Sequence, residues 1–162
     1  MGIYFDVDDI FGMAERIERD AAAFYRRAGA AAGDPESRRV LLYLADMEAD
    51  HEHVFAGIRA HLSASGSATG RGAGGGPAED WPGLANVLAS GIKEDLAERF
   101  TGSESREQIL RKAIDFEKDS IVFIVSVRNL LSDREDRERI DRLITEELGH
   151  ILSLTGRLAS RS

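Results

Sequence analysis

Cysteine does not occur anywhere in the 162 residues. Its absence excludes disulfides, iron–sulfur clusters, thiolate zinc and cysteine nucleophiles together, so any metal must be held by oxygen and imidazole. Proline is scarce, with three residues in all. Ala, Leu, Glu, Arg and Asp dominate instead, a balance that leans towards helix. No stretch reaches the roughly 18 uninterrupted apolar residues that span a membrane. A basic excess is also missing: 21 Lys and Arg stand against 29 Asp and Glu, a formal charge of −8. Nucleic acid and anionic membrane attract basic surfaces, so neither is an expected partner. Part of that negative charge need not lie outside, since buried carboxylates around cations count in the same total. The start, MGIYFDVDDIF, is acidic where a secretory signal is basic and has no cleavable apolar run. The expected compartment is therefore the cytoplasm. With 43% apolar and 31% charged residues, the chain suits a single soluble domain over 1–162 with a substantial core.

What is present is helical period almost throughout. Phe11, Ala14, Ala21, Ala22, Tyr25 and Ala28 recur three and four apart and predict a helix from about Asp8 to Ala31. Gly33 stops it, and Asp34-Pro35 reads as an N-cap with proline at the first helical position. The second helix runs to about Leu62 with Val40, Leu41, Leu44, Met47, Val54, Phe55 and Ile58 on its apolar face. Residues 63–80 are rich in Gly, Ser and Ala without periodicity and read as a flexible connection. A shorter helix is expected over 84–100, so the whole crossover spans 63–104. Ser105 and Gln108 suggest a capping box for a helix reaching about Leu131, and Ser132 with Glu135 suggest another for a last helix ending near Leu158. Two antiparallel hairpins, 8–62 and 105–158, joined by one long crossover, describe an all-α four-helix bundle wired in the ferritin-like way.

The two hairpins repeat one another. IERDAAAFY (17–25) aligns with FEKDSIVFI (116–124), and LADMEADH (44–51) with LITEELGH (143–150). Glu18 matches Glu117, Glu48 matches Glu147 and His51 matches His150, each pair 99 positions apart without a gap. Within each half, the lone glutamate and the Glu-x-x-His motif are 30 residues apart. Residues three apart share a helix face, and all six polar positions fall on apolar stripes. Glu48 and His51 lie with Leu44, Phe55 and Ile58; Glu147 and His150 with Leu143, Ile151 and Leu154. Glu18 lies between Ala14 and Tyr25, and Glu117 between Ile114 and Ile121. Core-facing carboxylates are costly unless paired or bound to metal, and four together repel one another. Two divalent cations would remove the repulsion, which makes Glu18, Glu48, His51, Glu117, Glu147 and His150 the expected metal ligands. His53 and His61 are expected at the surface. Tyr25 shares the face of Glu18 two turns on. It is either a core tyrosine with one hydrogen bond or a functional group, as a donor to a metal ligand or a redox-active neighbour of the metals. Its repeat position holds Ile124.

These segments make the chain resemble the di-iron domain of the rubrerythrin family, over about residues 8–62 and 105–158. One Glu from each of two helices plus Glu-x-x-His from each of two others is the di-iron carboxylate constellation of ferritin-like proteins. The resemblance implies two iron ions, bridged by Glu48 and Glu147, each capped by one histidine, with Glu18 and Glu117 completing the shell. The donor set also admits Mn or Zn. It further implies a homodimer. The chain departs from the family in having no cysteines for a rubredoxin domain, so electrons would come from an external donor. Ile114 also stands three residues before Glu117, where a family-type extra glutamate is not matched.

Three functions remain open at this point. An oxidoreductase would reduce hydrogen peroxide or oxygen at the metal pair. A ferroxidase or iron-handling protein would treat ferrous iron as its substrate, and bacterioferritins share the same six-ligand set. A non-enzymatic bundle would bind metal without reacting.

Overall fold

The computed structural model describes residues 7–65, 101 and 103–160. Four long helices account for almost all of them: α1 (Val7–Ala31), α2 (Pro35–Ala64), α3 (Arg106–Arg128) and α4 (Arg134–Ala159). The short helix expected over 84–100 lies outside the described residues, as does most of the crossover. Among the described residues no helix is long and apolar enough to cross a membrane.

Local chemistry sets the helix ends. Asp34 accepts a hydrogen bond from the Ser37 backbone N–H at 2.7 Å and Pro35 opens α2, the arrangement expected of an N-cap followed by a residue with no N–H to satisfy. At α3 the capping box is complete: Ser105 Oγ accepts from Gln108 N, and Gln108 Oε1 accepts from Ser105 N at 2.8 Å. The start of α4 differs from the sequence reading. Asp133, not Ser132, is the N-cap, accepting from Asp136 N at 3.0 Å. A start at Asp133 turns Asp136 inward, where its carboxylate is fully buried and meets His61 Nδ1 at 2.8 Å. The helix before it also ends earlier than expected, at Arg128 rather than Leu131. Leu130 and Leu131 cover the core from the turn.

Each hairpin packs along its length, and between hairpins α1 lies against α3 and α2 against α4. Alanines on α1 (Ala14, Ala21, Ala28) are fully buried and keep the backbones near. Gly29 serves the same end beside the α1–α2 turn, since a Cβ there would stand 3.1 Å from the Leu42 side chain. Larger residues fill the space between. Phe11 meets Phe55 edge-on at 6.2 Å, and Phe24, Phe123, Leu44, Ile58, Ile124 and Ile140 are buried with them. Burying each such side chain contributes about 1.5–3 kcal/mol. At the rim, Arg59 on α2 binds Asp8 on α1 through Nε and Nη2, at 2.7 and 2.6 Å. Arg128 makes the matching two-point contact to Asp141 across α3 and α4. Among the described residues, the middle of this four-helix frame is mainly apolar and holds one cluster of charged side chains.

Candidate metal centre

That cluster contains all six residues expected from the repeat. Glu18 on α1, Glu48 and His51 on α2, Glu117 on α3, and Glu147 on α4 are fully buried, and His150 on α4 is 5% exposed. Helix geometry delivers them: each Glu-x-x-His pair is one turn apart on the inward face, and α1 and α3 bring a single glutamate to the same level. The four glutamates and two histidines form two groups whose potential ligand atoms lie within 4.8 Å of one another. One group is Glu18, Glu48, His51 and Glu147; the other is Glu48, Glu117, Glu147 and His150. Exchanging the two halves of the chain by the 99-residue offset turns one group into the other. Glu48 and Glu147 belong to both groups.

Both imidazoles turn Nδ1 inward. His51 Nδ1 is 2.9 Å from Glu147 Oε1 and 3.2 Å from Glu48 Oε2. His150 Nδ1 is 3.2 Å from Glu48 Oε1, 3.2 Å from Glu147 Oε2 and 3.7 Å from Glu117 Oε1. The two rings stack at 5.6 Å with 18° between their planes. Tyr25, fully buried, donates its hydroxyl hydrogen to Glu117 Oε1.

Protons balance this charge. Burial pushes the Glu18 carboxyl well above its ordinary value, and the neighbouring Glu48 charge adds to the shift. Burial does the same to Glu117, with Glu147 beside it. Burial alone would favour neutral imidazoles. Glu147 and Glu48 outweigh it at His51 and raise that ring to about 10. Glu117, Glu147 and Glu48 raise His150 to about 12. Glu147 moves the opposite way: burial would raise it, but Glu117 and the two imidazoles together hold it below the usual carboxylate range. The Tyr25 phenol is raised by burial and then by the Glu117 charge, and stays protonated.

The proton balance leaves a residue of unsatisfied groups. Both oxygens of Glu18, both of Glu48 and Oε2 of Glu117 are buried without a well-directed hydrogen bond, each Glu48 oxygen having only an imidazole nitrogen at 3.2 Å. Native interiors rarely leave such atoms unpaired, and buried carboxylate oxygens beside imidazole nitrogens suit a pair of divalent cations. The donor set therefore fits the metals the sequence called for.

The other histidines are placed less uniformly. His53 is exposed and contacts the Ala49 carbonyl of its own helix at 2.6 Å. His61 is also exposed, yet it carries the ion pair to the buried Asp136. One contact of the cluster was not anticipated. Glu146, 44% exposed, reaches the outer nitrogen of His51, with Oε2 2.9 Å from Nε2. The sequence signal for it was a mismatch in the repeat, Glu146 against Met47. Ser120, one turn after Glu117 on α3, is buried with its hydroxyl unpartnered.

No protein-family model matches the chain, and no curated protein matches it. Among solved structures it is similar to the 2.30 Å crystal structure of a protein from Thermotoga maritima described as a ferritin-like diiron-carboxylate protein. The TM-score is 0.74 at 21% sequence identity, with 100% of both chains covered. A likeness of that extent and identity establishes the fold, which is ferritin-like.

Proposed function

We propose that Glu18, Glu48, His51, Glu117, Glu147 and His150 hold two iron ions, and that the resulting centre reacts with hydrogen peroxide or oxygen. The observation that carries this reading is the pair of overlapping ligand groups sharing Glu48 and Glu147. Glu48 and Glu147 would serve both ions, with Glu18 and His51 holding one and Glu117 and His150 the other. Iron is favoured over Mn or Zn by the description of the structural neighbour as a diiron-carboxylate protein. Within the ferritin-like fold we place the chain on the rubrerythrin side, on the strength of its IERDAAAFY, LADMEADHEHVF, FEKDSIVF and ITEELGHI segments.

An iron pair, when bound, supplies two one-electron couples and open positions for an oxidant. The chain's own residues do the rest. Phe24, Ile124 and Leu44 belong to the buried core in which the cluster sits and help exclude water. Tyr25 fixes one oxygen of Glu117 and keeps a proton beside the site. Electrons for turnover would come from a donor outside these residues, which include no cysteine to hold a rubredoxin iron.

The test is stopped-flow absorbance of the anaerobic ferrous protein mixed with peroxide or with oxygen. A ferric band forming faster with peroxide supports a peroxide reductase. Faster oxidation by oxygen, followed by iron accumulating beyond the site, identifies a ferroxidase instead. No optical change with either oxidant on a fully loaded protein removes the redox reading and leaves a metal-binding bundle.

A further inference from the structure

The repeat makes the two metal positions equivalent in ligand type, and the structure breaks that equivalence twice. Both breaks act in the same direction. At the position built from Glu18, Glu48, His51 and Glu147, the capping imidazole is held from behind by Glu146, with Oε2 2.9 Å from Nε2. An outer carboxylate on a ligating histidine fixes its tautomer and orientation and strengthens it as a donor. The repeat puts half-buried Met47 where a carboxylate would have to stand to serve His150 in the same way. Among the described residues, every carboxylate near His150 belongs to the cluster and faces its Nδ1.

The second break concerns the terminal glutamates. Neither oxygen of Glu18 accepts a hydrogen bond from a group outside the cluster. One oxygen of Glu117 already accepts from the Tyr25 hydroxyl, which draws electron density from that carboxylate and restricts how it can turn. On the other side, the residue equivalent to Tyr25 is the apolar Ile124. Glu18 and His51 are thus the freer carboxylate and the better-held imidazole, and both belong to the same position.

We infer that the two metal positions differ in affinity: the His51 position fills first, with Glu146 as its positioning residue, and the His150 position, restrained by Tyr25, fills second. The inference rests on the two-metal reading above, and the experiment separates failure of one from failure of the other. Apo-protein is titrated with Co²⁺ alone, read by visible d–d absorbance and by calorimetry. Wild type should bind in two resolved steps, one ion each. His150→Ala should keep only the tighter step and His51→Ala only the weaker, which assigns the steps to positions. Glu146→Ala should weaken the first step by about 10–100-fold, shift its d–d band and leave the second step in place. Glu146→Gln, isosteric and still an acceptor, should fall between alanine and wild type; it carries the same comparison even if the alanine variant fails to fold. Tyr25→Phe should strengthen the second step. Two Co²⁺ bound with equal affinity, or Glu146 variants that affect both steps alike or only the second, would overturn the inference while leaving the metal pair intact. Failure to bind two Co²⁺ would overturn the two-metal reading itself.

Discussion

His51 and His150 stack face to face in the core, 5.6 Å apart with 18° between their rings, although 98 residues of chain separate them. Each turns Nδ1 to the same two carboxylates, Glu48 and Glu147. The stack is the spatial form of the sequence repeat. Two copies of one hairpin face each other, and the residues that match along the chain meet at the middle of the bundle.

Glu48→Ala and Glu147→Ala should each abolish binding of the metal pair, because each removes a residue common to both ligand groups. His53→Ala should leave binding unchanged, since that ring is exposed and contacts only its own helix among the bonds described. Metal content by elemental analysis after anaerobic ferrous loading checks this. Equal loss of metal in His53→Ala and Glu48→Ala would mean the ligand assignment is wrong.

Tyr25→Phe should destabilise the apo-protein by about 1–3 kcal/mol, the usual cost of removing one partner of a buried hydrogen bond. The Tyr25 ring sits in the core, and the substitution removes its hydroxyl donor to Glu117. Chemical denaturation of apo wild type and variant measures the difference. A change under about 0.5 kcal/mol, the scale of surface substitutions, would show that this bond is not formed in solution.

The apo-protein should lose stability as pH rises above about 6.5. His51 and His150 are raised in the folded protein to about 10 and about 12. A raised folded value means that the stabilisation is complete below the unfolded value. It is then lost as pH climbs through about 10 for His51 and about 12 for His150. Glu18 and Glu117, raised by burial, act with the same sign from their ordinary range upward. Metal should reverse the trend, because cations replace these protons and binding releases them. Melting temperatures across pH 6–9, with and without Zn²⁺ as a redox-inert probe, read both slopes. Parallel slopes would contradict the proton balance described for the cluster.

Much of this arrangement was legible in the sequence for physical reasons. Glutamate and histidine at Leu and Phe positions of an amphipathic stripe conflict with burial unless something neutralises them, and the 99-residue offset showed the conflict repeated. Helix faces were equally plain: Leu41, Leu44, Phe55 and Ile58 are all buried. Less legible were contacts that depend on how the hairpins dock. Glu146 stands out in the sequence only as a mismatch with Met47 in the repeat, and its contact with His51 follows only once α4 lies against α2. His61 lies at the surface as expected, but its ion pair was not legible, because burial of Asp136 depends on where α4 starts.

That start is itself testable. Asp133→Ala should cost about 0.5–2 kcal/mol through loss of the N-cap, whereas Ser132→Ala should stay within about 0.5 kcal/mol. The reverse order in thermal or denaturant unfolding would favour the Ser132–Glu135 capping box instead.

The central claim is the paired metal site, and the most direct measurement is its stoichiometry. Apo-protein titrated anaerobically with Fe²⁺ should saturate at two ions per chain, one for each overlapping ligand group, and the Glu48→Ala variant should bind none tightly. No uptake, or saturation at a single ion unaffected by loss of Glu48, would contradict the account.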